Sequence, residues 1–398
     1  HSGGKAAWTL SSLGLRGSAR RRGRSLACVC LLACGIFMVI AVGAFRIDPT
    51  ENATAPESGT GGFAYFAQSD LAVLHDLNHE DGRYHYPFED YTQTLPADLV
   101  PLRMREGDDA SCLNLNQARE PRLLGVEPER LKDRFTFAAT MEIDGKSGWE
   151  LLDHKLTDDT VPAIVDQNTG MWALHVKLGD TLDYPTENGG TMQLKIVGML
   201  AFSMLQGDVI VSESAMVKHF PSNSGWRAFL ADRPADGKPT AWEAMLNTGL
   251  ANHGLDLQRA DVRLAEFSQV QNTYISIFQA LGGLSLLLGS LGLGVVVLRN
   301  VLERRGELAV MQAVGFRRES LRRLVCTEHG LLLALGLAVG VGAALLAVWP
   351  SLNAPGSAMP WASLGWMLGG VLASGMLWTW LAATAALRGE LLPALRHE

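Results

Sequence analysis

Four long apolar stretches divide the chain. Residues 26–45, 275–298 and 363–387 contain no charged side chain. Residues 324–349 are equally apolar except for Glu328 and His329 near their start. An α-helix rises about 1.5 Å per residue, so about 20 apolar residues cross the hydrocarbon core of a bilayer. The pattern therefore predicts four transmembrane helices at these positions.

The polar region between the first two stretches, residues 46–274, has the short apolar runs of a folded domain. We predict an α+β domain of two lobes, inserted between helices 1 and 2. Asn188-Gly189-Gly190 predicts a hairpin turn. Pro162 predicts an edge position for its strand, because proline donates no ladder hydrogen bond. Strands are predicted at residues 63–66, 99–105, 161–165, 193–200, 208–212, 227–230 and 262–267, and helices at 69–78 and 240–250.

Basic residues predict the orientation. Six basic side chains and no acidic one precede the first apolar stretch, and seven arginines lie in residues 299–323. Such residues favour the cytoplasmic side of a membrane. We expect a multi-pass protein of the cell (inner or plasma) membrane with both termini inside. The cytoplasmic parts would be 1–25, the loop 299–323 and the tail 388–398; the extracytoplasmic parts would be the domain 46–274 and the loop 350–362.

The charge of the chain and its cysteines limit which partners and which cross-links we expect. The chain has a net charge of -7, and its polar region alone holds 35 acidic and 19 basic residues. An acidic outer domain argues against nucleic acid as a partner. Of the five cysteines, Cys112 alone lies in that domain, so a disulfide framework is not expected.

Motifs for catalysis are missing from the sequence. It contains no GxxxxGK[ST] phosphate loop, GxSxG or HExxH. We therefore expect no catalytic residue and no cofactor in this chain. His75, His79 and His85 are the one group that suggests a metal, since His75 and His79 would share a helix face. A solvated helix face explains the same residues and no second ligand segment follows, so no metal site is assigned.

The most informative segment is residues 303–316, ERRGELAVMQAVGF, in the loop between helices 2 and 3. It is similar to the cytoplasmic coupling segment of FtsX/MacB-type ABC transporter permeases, which reads E-R-x-x-E-(I/L)-(G/A)-x-x-x-A-(L/V)-G. The order of one span, a large outer domain and three further spans also matches that family. Residues 160–212 resemble its MacB-like periplasmic core through Gly179–Leu182 and Val197-Gly198. At the level of sequence motifs, the resemblance extends over residues 270–350 only. Phe316 occupies a position where alanine is common in the family.

The resemblance implies roles for this segment. Leu308, Met311 and Val314 would form an apolar surface that docks on an ATPase, and Gly315 would end the helix. The charged residues would flank that surface: Glu303, Arg304, Arg305 and Glu307. Gly306 inside the helix would cost about 1 kcal/mol relative to alanine. If the arginines served topology alone, the apolar residues between them would have no explanation.

The family also implies partners. Such permeases form homodimers or heterodimers and bind a cytoplasmic ATPase, which holds ATP and magnesium. ATP-driven motion of the membrane helices reaches the outer domain, which exports or extracts a substrate such as a lipoprotein, lipid, peptide or drug. Small residues at four-residue spacing suit close helix packing: Ser285, Gly289, Gly336 and Gly340.

Two other functions stay open on the sequence. An FtsX-like regulator would use the same motion to activate an extracytoplasmic enzyme. A membrane-anchored metal-dependent protein would use the histidines near His75. The chain begins at His1 and not at methionine, so the sequence leaves open whether it is a fragment, such as the second half of a longer permease.

Overall fold

The computed structural model describes residues 22–44, 53–92, 94–108, 110, 118–156, 159–235, 237–352 and 361–387. Within these residues the chain forms two compact units, one helical and one built on a β-sheet, with a division near residues 46 and 270. The predicted segments 1–25, 350–362 and 388–398 lie largely or wholly outside the described residues, as does Cys112.

Ten strands of the sheet unit form one mixed sheet, in the order β10-β1-β9-β2-β3-β8-β5-β7-β4, with β6 paired to β7. The β3–β8 and β5–β7 pairs are parallel. The path runs from one half of the sheet to the other through β2, whose residues 99–102 pair with β9 and whose residues 103–105 pair with β3. The division into two lobes stays a prediction. The strands are β1 Tyr65–Val73, β2 Leu99–Arg105, β3 Arg122–Val126, β4 Phe137–Thr140, β5 Thr160–Asp166, β6 Thr181–Pro185, β7 Thr191–Leu200, β8 Asp208–Ser212, β9 Trp226–Ala231 and β10 Leu255–Arg259.

Both faces of the central strands are covered by apolar side chains. In β8, Ile210 belongs to one buried cluster, whereas Val209 and Val211 belong to another. Since successive side chains of a strand point to opposite faces, the sheet separates these two cores. A third cluster surrounds Trp242. The α-helices that lie wholly within this unit, among the described residues, are α2 Glu80–Arg83, α3 Glu213–His219 and α4 Pro239–Gly249.

Several sequence predictions are confirmed. Leu99–Arg105 and Asp208–Ser212 form strands with the predicted bounds. The hairpin prediction holds, because β6 pairs with β7 up to Pro185 and Thr191 and Gly189 has a φ of 76°. Glycine adopts this left-handed conformation without the steric cost of a Cβ atom.

Three local predictions are wrong. Residues 69–78 do not form a helix, because β1 continues to Val73 between β9 and β10. Residues 262–267 are helical, with buried side chains four positions apart at Leu264 and Ser268. The strand 161–165 is not at an edge: β5 lies between β7 and β8. Pro162 is tolerated because its pairing is with β7, and the pairing with β8 begins at Ile164.

The helical unit contains α1 Arg22–Gly43, α6 Arg305–Ala313, α7 Arg318–Leu352 and α8 Trp361–Leu387. The 44-residue helix α5, Ala260–Glu303, begins in the sheet unit and continues into the helical one. Among the described residues, three helices are long and apolar enough to cross a membrane, within α5, α7 and α8. In α1 the apolar stretch is shorter, Val29–Gly43. The first of the four spans therefore stays a prediction.

Candidate coupling site

Helix α6 is a short amphipathic helix that is held by its neighbours. Leu308 is 2% exposed and Ala309 is fully buried. They belong to one apolar cluster with Val297 of α5 and Val325 of α7. Leu308 is thus not part of an exposed docking surface, which corrects the sequence prediction. Its burial fixes which face of α6 turns inward.

The exposed large apolar side chains among the described residues of this segment are Val310, Val314 and Phe316. Val314 is 76% exposed, whereas Met311 is partly buried against the inner cluster. Val310 and Val314 are four residues apart, so they share one side of the helix. We call Val310, Val314 and Phe316 the apolar patch. Sequence reasoning missed Val310, although its four-residue spacing from Val314 is the signal that identifies it.

Gly315 ends the helix, as predicted. Its φ is 106°. Its N–H donates to the Gln312 carbonyl (3.0 Å), and the Phe316 N–H donates to the Met311 carbonyl (3.1 Å). These two bonds form a Schellman motif, which satisfies carbonyl groups at the helix end. The same turn places Phe316 beyond the helix end.

Arg304 adds an ion pair to the apolar contacts between α6 and α7. It lies at the break between α5 and α6, and its Nη1 contacts Oε2 of Glu328 at 3.0 Å. Its Nε donates to Oε2 of Glu307 at 3.1 Å. Glu328 is only 4% exposed, so this ion pair is largely removed from water. The sequence predicted that Arg304 flanks the docking surface, whereas its guanidinium turns inward to Glu328.

Of the remaining charged residues of the segment, Glu303 is at the surface and the side chain of Arg305 is not among the described ones. Glu303 accepts a hydrogen bond from Nε of Arg299, and both side chains contact solvent. His329 follows Glu328 and is also buried, with its Nε2 3.5 Å from Nδ2 of Asn300. Two buried polar side chains, Glu328 and His329, therefore lie where α5, α6 and α7 meet.

The predicted packing glycines make contacts within this chain. A Cβ atom added to Gly340 would lie 2.8 Å from the Ala33 carbonyl oxygen and 2.9 Å from Cβ of Ile36. Gly336 faces Leu32 of α1 in the same way, and a Cβ on Gly289 would meet Leu31. Ser285 is instead exposed, and its hydroxyl donates to the Leu281 carbonyl. The glycines allow α7 to approach α1 closely.

The three histidines near residue 80 are arranged differently from the sequence hypothesis. His75 and His79 do not share a helix face, because residues 69–78 do not form a helix. The His75 ring stacks on His85 at 3.8 Å, and His79 lies 3.7 Å from Asp76. Within the described residues, no three His, Cys, Asp or Glu side chains are grouped to hold a metal ion.

Two glycines of the segment are expected to respond oppositely to alanine. Gly315→Ala should lower the free energy of unfolding by about 1–2 kcal/mol, because a Cβ is strained in the left-handed region. Gly306→Ala should be neutral or stabilising by up to about 1 kcal/mol, since a Cβ there meets no atom within 4 Å. Thermal unfolding in detergent measures both. Equal shifts in the two midpoints would contradict the role of Gly315.

Residues 280–391 match the family described as FtsX-like permease C-terminal. The uncharacterized ABC transporter permease YknZ of Bacillus subtilis strain 168 is 26% identical over 231 residues, covering 54% of this chain and 55% of YknZ. The macrolide export ATP-binding/permease protein MacB of Marinobacter nauticus is 28% identical over 162 residues, covering 39% of this chain and 25% of MacB. The chain thus spans about half of one relative and a quarter of the other.

Among solved structures, the periplasmic region of MacB from Actinobacillus actinomycetemcomitans is similar to 57% of this chain and 99% of its own chain. Its TM-score is 0.30 and its sequence identity 9%.

Proposed function

We propose that this chain, an ABC transporter permease of the FtsX/MacB type, couples ATP hydrolysis by a separate cytoplasmic ATPase to motion of its extracytoplasmic sheet unit. The observation that carries the proposal is α6, which is anchored to α7 by the Arg304–Glu328 ion pair and presents the apolar patch to its surroundings. A helix with one face fixed and the other exposed is suited to pass force from a bound partner to the helices beside it. The motion would serve export or extraction of a substrate.

The proposed topology places this helix in the cytoplasm. Four spans and two inner termini put residues 299–323 on the same side as the other basic segments. The sheet unit then lies outside the cell membrane. The proposal needs no nucleotide site in this chain, because the partner ATPase would bind ATP and magnesium.

Binding of the ATPase at α6 can be tested with one exposed residue. Val314→Glu is expected to reduce the ATPase recovered with the detergent-solubilised protein by at least about tenfold, which corresponds to about 1.4 kcal/mol. Burial of a new carboxylate against an apolar partner surface would be unfavourable. Co-purifying ATPase activity, normalised to the permease, is the measurement.

A matched control separates this effect from a general effect of added charge. Val217 of α3 is also exposed and lies in the sheet unit, so Val217→Glu should leave ATPase recovery unchanged. Equal recovery with Val314→Glu and the unchanged protein would argue against docking on α6. Val314 is a better choice than Met311, because Met311 is partly buried in the helical unit.

A further inference from the structure

Two segments of the sheet unit are neighbours of the helical unit in the amino-acid sequence, and both contact the same loop. One is residues 53–62, which come after α1 in the chain; the other is residues 260–270, the first turns of α5. The loop is residues 201–207, between β7 and β8. The Met204 N–H donates to the Gly59 carbonyl at 2.8 Å, and Nε of Arg263 donates to the Met204 carbonyl at 3.0 Å. The N–H of Met204 thus bonds the first segment to the loop, and its carbonyl bonds the second.

The side chains around this point are closely packed. Met204 and Leu205 are fully buried, and Leu264 of α5 lies in the same apolar cluster. A Cβ on Gly59 would clash with the Phe202 carbonyl oxygen and lie 2.9 Å from Cδ2 of Leu264. The backbone of the first segment therefore approaches both the loop and α5 at a position where a larger residue does not fit.

Arg263 is held in place on its other side as well. Its guanidinium carbon lies 3.9 Å from the ring centroid of Phe66 in β1. Burial is the main reason that the pKa of Arg263 is lowered from its usual value, although the carboxylate of Asp208 opposes the shift. A guanidinium kept in such surroundings has a fixed position, so its bond to Met204 is a defined contact and not a mobile surface one.

The loop is held near both ends by residues at the end of β5 and in the helical turn that follows it. Asp166, at the end of β5, accepts the Ser203 N–H at 2.7 Å and the Asn168 N–H at 2.8 Å. The Thr169 hydroxyl oxygen accepts the Gly207 N–H at 2.8 Å. Burial raises the pKa of Asp166 to about 6, so above that pH the side chain is a carboxylate with an oxygen for each donor.

We infer that loop 201–207 is a clamp that makes residues 53–62 and the start of α5 move together, and that Arg263 and Asp166 are its positioning residues. The inference rests on the proposed function for its role in transmission. Displacement of α5 would reach Met204 through Arg263, and the loop would pass it to the ends of β7 and β8. The hydrogen bonds of Asp166 would hold the loop in place, so that the displacement is passed to the strands and not lost in a deformation of the loop.

The clamp is tested in the full chain with three variants of similar chemistry. Arg263→Met removes the donor to Met204 and keeps an apolar stem of similar length, whereas Arg263→Lys keeps a charge and a donor. Arg259→Met is the matched control, because Arg259 is 63% exposed at its side chain and pairs with Asp261 nearby. Nitroxide labels at the exposed positions Glu57 and Val262 report the distance between the two segments.

The first measurement needs no ATPase. Arg263→Met should broaden the Glu57–Val262 distance distribution and accelerate amide exchange at Met204 by about tenfold or more, as loss of a charged hydrogen bond predicts. Arg263→Lys should restore part of both properties, and Arg259→Met should match the unchanged protein. If Arg263→Met leaves exchange and distances unchanged, the clamp is overturned, whatever the ATPase does.

The second measurement adds the co-purified ATPase with ATP and magnesium. In the unchanged protein, nucleotide should shift the amide exchange of β8; in Arg263→Met this shift should be lost while ATP is still hydrolysed. A shift of equal size in both proteins would overturn the transmission role of Arg263. Absence of any nucleotide effect in the unchanged protein would refute the proposed function, and the clamp itself would then be decided by the first measurement.

Discussion

Arg304→Met is expected to lower the free energy of unfolding of the helical unit by about 3–5 kcal/mol, because it leaves the buried Glu328 carboxylate without its partner. The Glu328 side chain is 6% exposed and its Oε2 lies 3.0 Å from Nη1 of Arg304. Removing one member of such a pair costs more than the pair contributes, since the remaining charge stays away from water. Denaturant titration in detergent, followed by circular dichroism, measures the loss.

Arg299 supplies the control for this change. It makes an ion pair of similar length with Glu303 on the same helix, at 2.9 Å, but its side chain is 76% exposed. Arg299→Met should therefore change the free energy of unfolding by less than about 1 kcal/mol. The reversed pair, Arg304→Glu with Glu328→Arg, should recover part of the loss. Equal effects of Arg304→Met and Arg299→Met would show that burial of the pair has no energetic consequence.

Gly340→Leu is expected to be the second severe change, because it separates α7 from α1. The new side chain would overlap Ala33 and Ile36, and overpacking of a close helix contact costs about 1–3 kcal/mol or more. Gly342→Leu adds the same side chain two residues further along α7, where a Cβ meets no atom within 4 Å. That control should be neutral or slightly stabilising, since leucine favours helix.

The thermal midpoint of each glycine variant in detergent gives the comparison. A midpoint that falls for Gly340→Leu and stays constant for Gly342→Leu supports the α1–α7 contact. If both variants lower the midpoint equally, the small residues of α7 act through a property of the helix itself and not through its contact with α1.

Much of the fold could be predicted from local pattern. The limits of strands such as β2 and β8 coincide with short apolar runs between polar residues. Gly315 directly follows an amphipathic segment, which marks the end of a helix. These features depend on residues that are close in the sequence, so periodicity and turn chemistry identify them. Close packing of Gly336 and Gly340 also follows from spacing, although the partner helix does not.

The wrong predictions have a common physical cause, which is that distant parts of the chain decide the outcome. A helix is predicted over residues 69–78, but the pairing of Ser69 with Leu255 in β10 makes the start of this segment part of a strand. The residues of α5 near Leu264 alternate enough to suggest a strand, whereas packing on the sheet selects a helix. Tertiary contacts override weak local propensity in such cases.

The arrangement of the candidate site also depends on contacts between residues that are distant in the sequence. Arg304 and Glu328 are 24 positions apart, so their ion pair was not visible in the sequence motif. Leu308 and Val310 are both apolar members of α6, and only the packing of α5 and α7 shows that one faces inward and the other outward. The type of site follows from the motif, but the surface it presents depends on the fold.

The burial of β8 on both faces has a mechanical consequence. All five of its residues are buried, whereas none of the five residues of β10, at the end of the sheet, is buried. Protein interiors at crystal-like density have low compressibility and transmit strain. We therefore expect the central strands to move together, with little deformation, when loop 201–207 is displaced. Most of the deformation of the unit would occur in its outer strands.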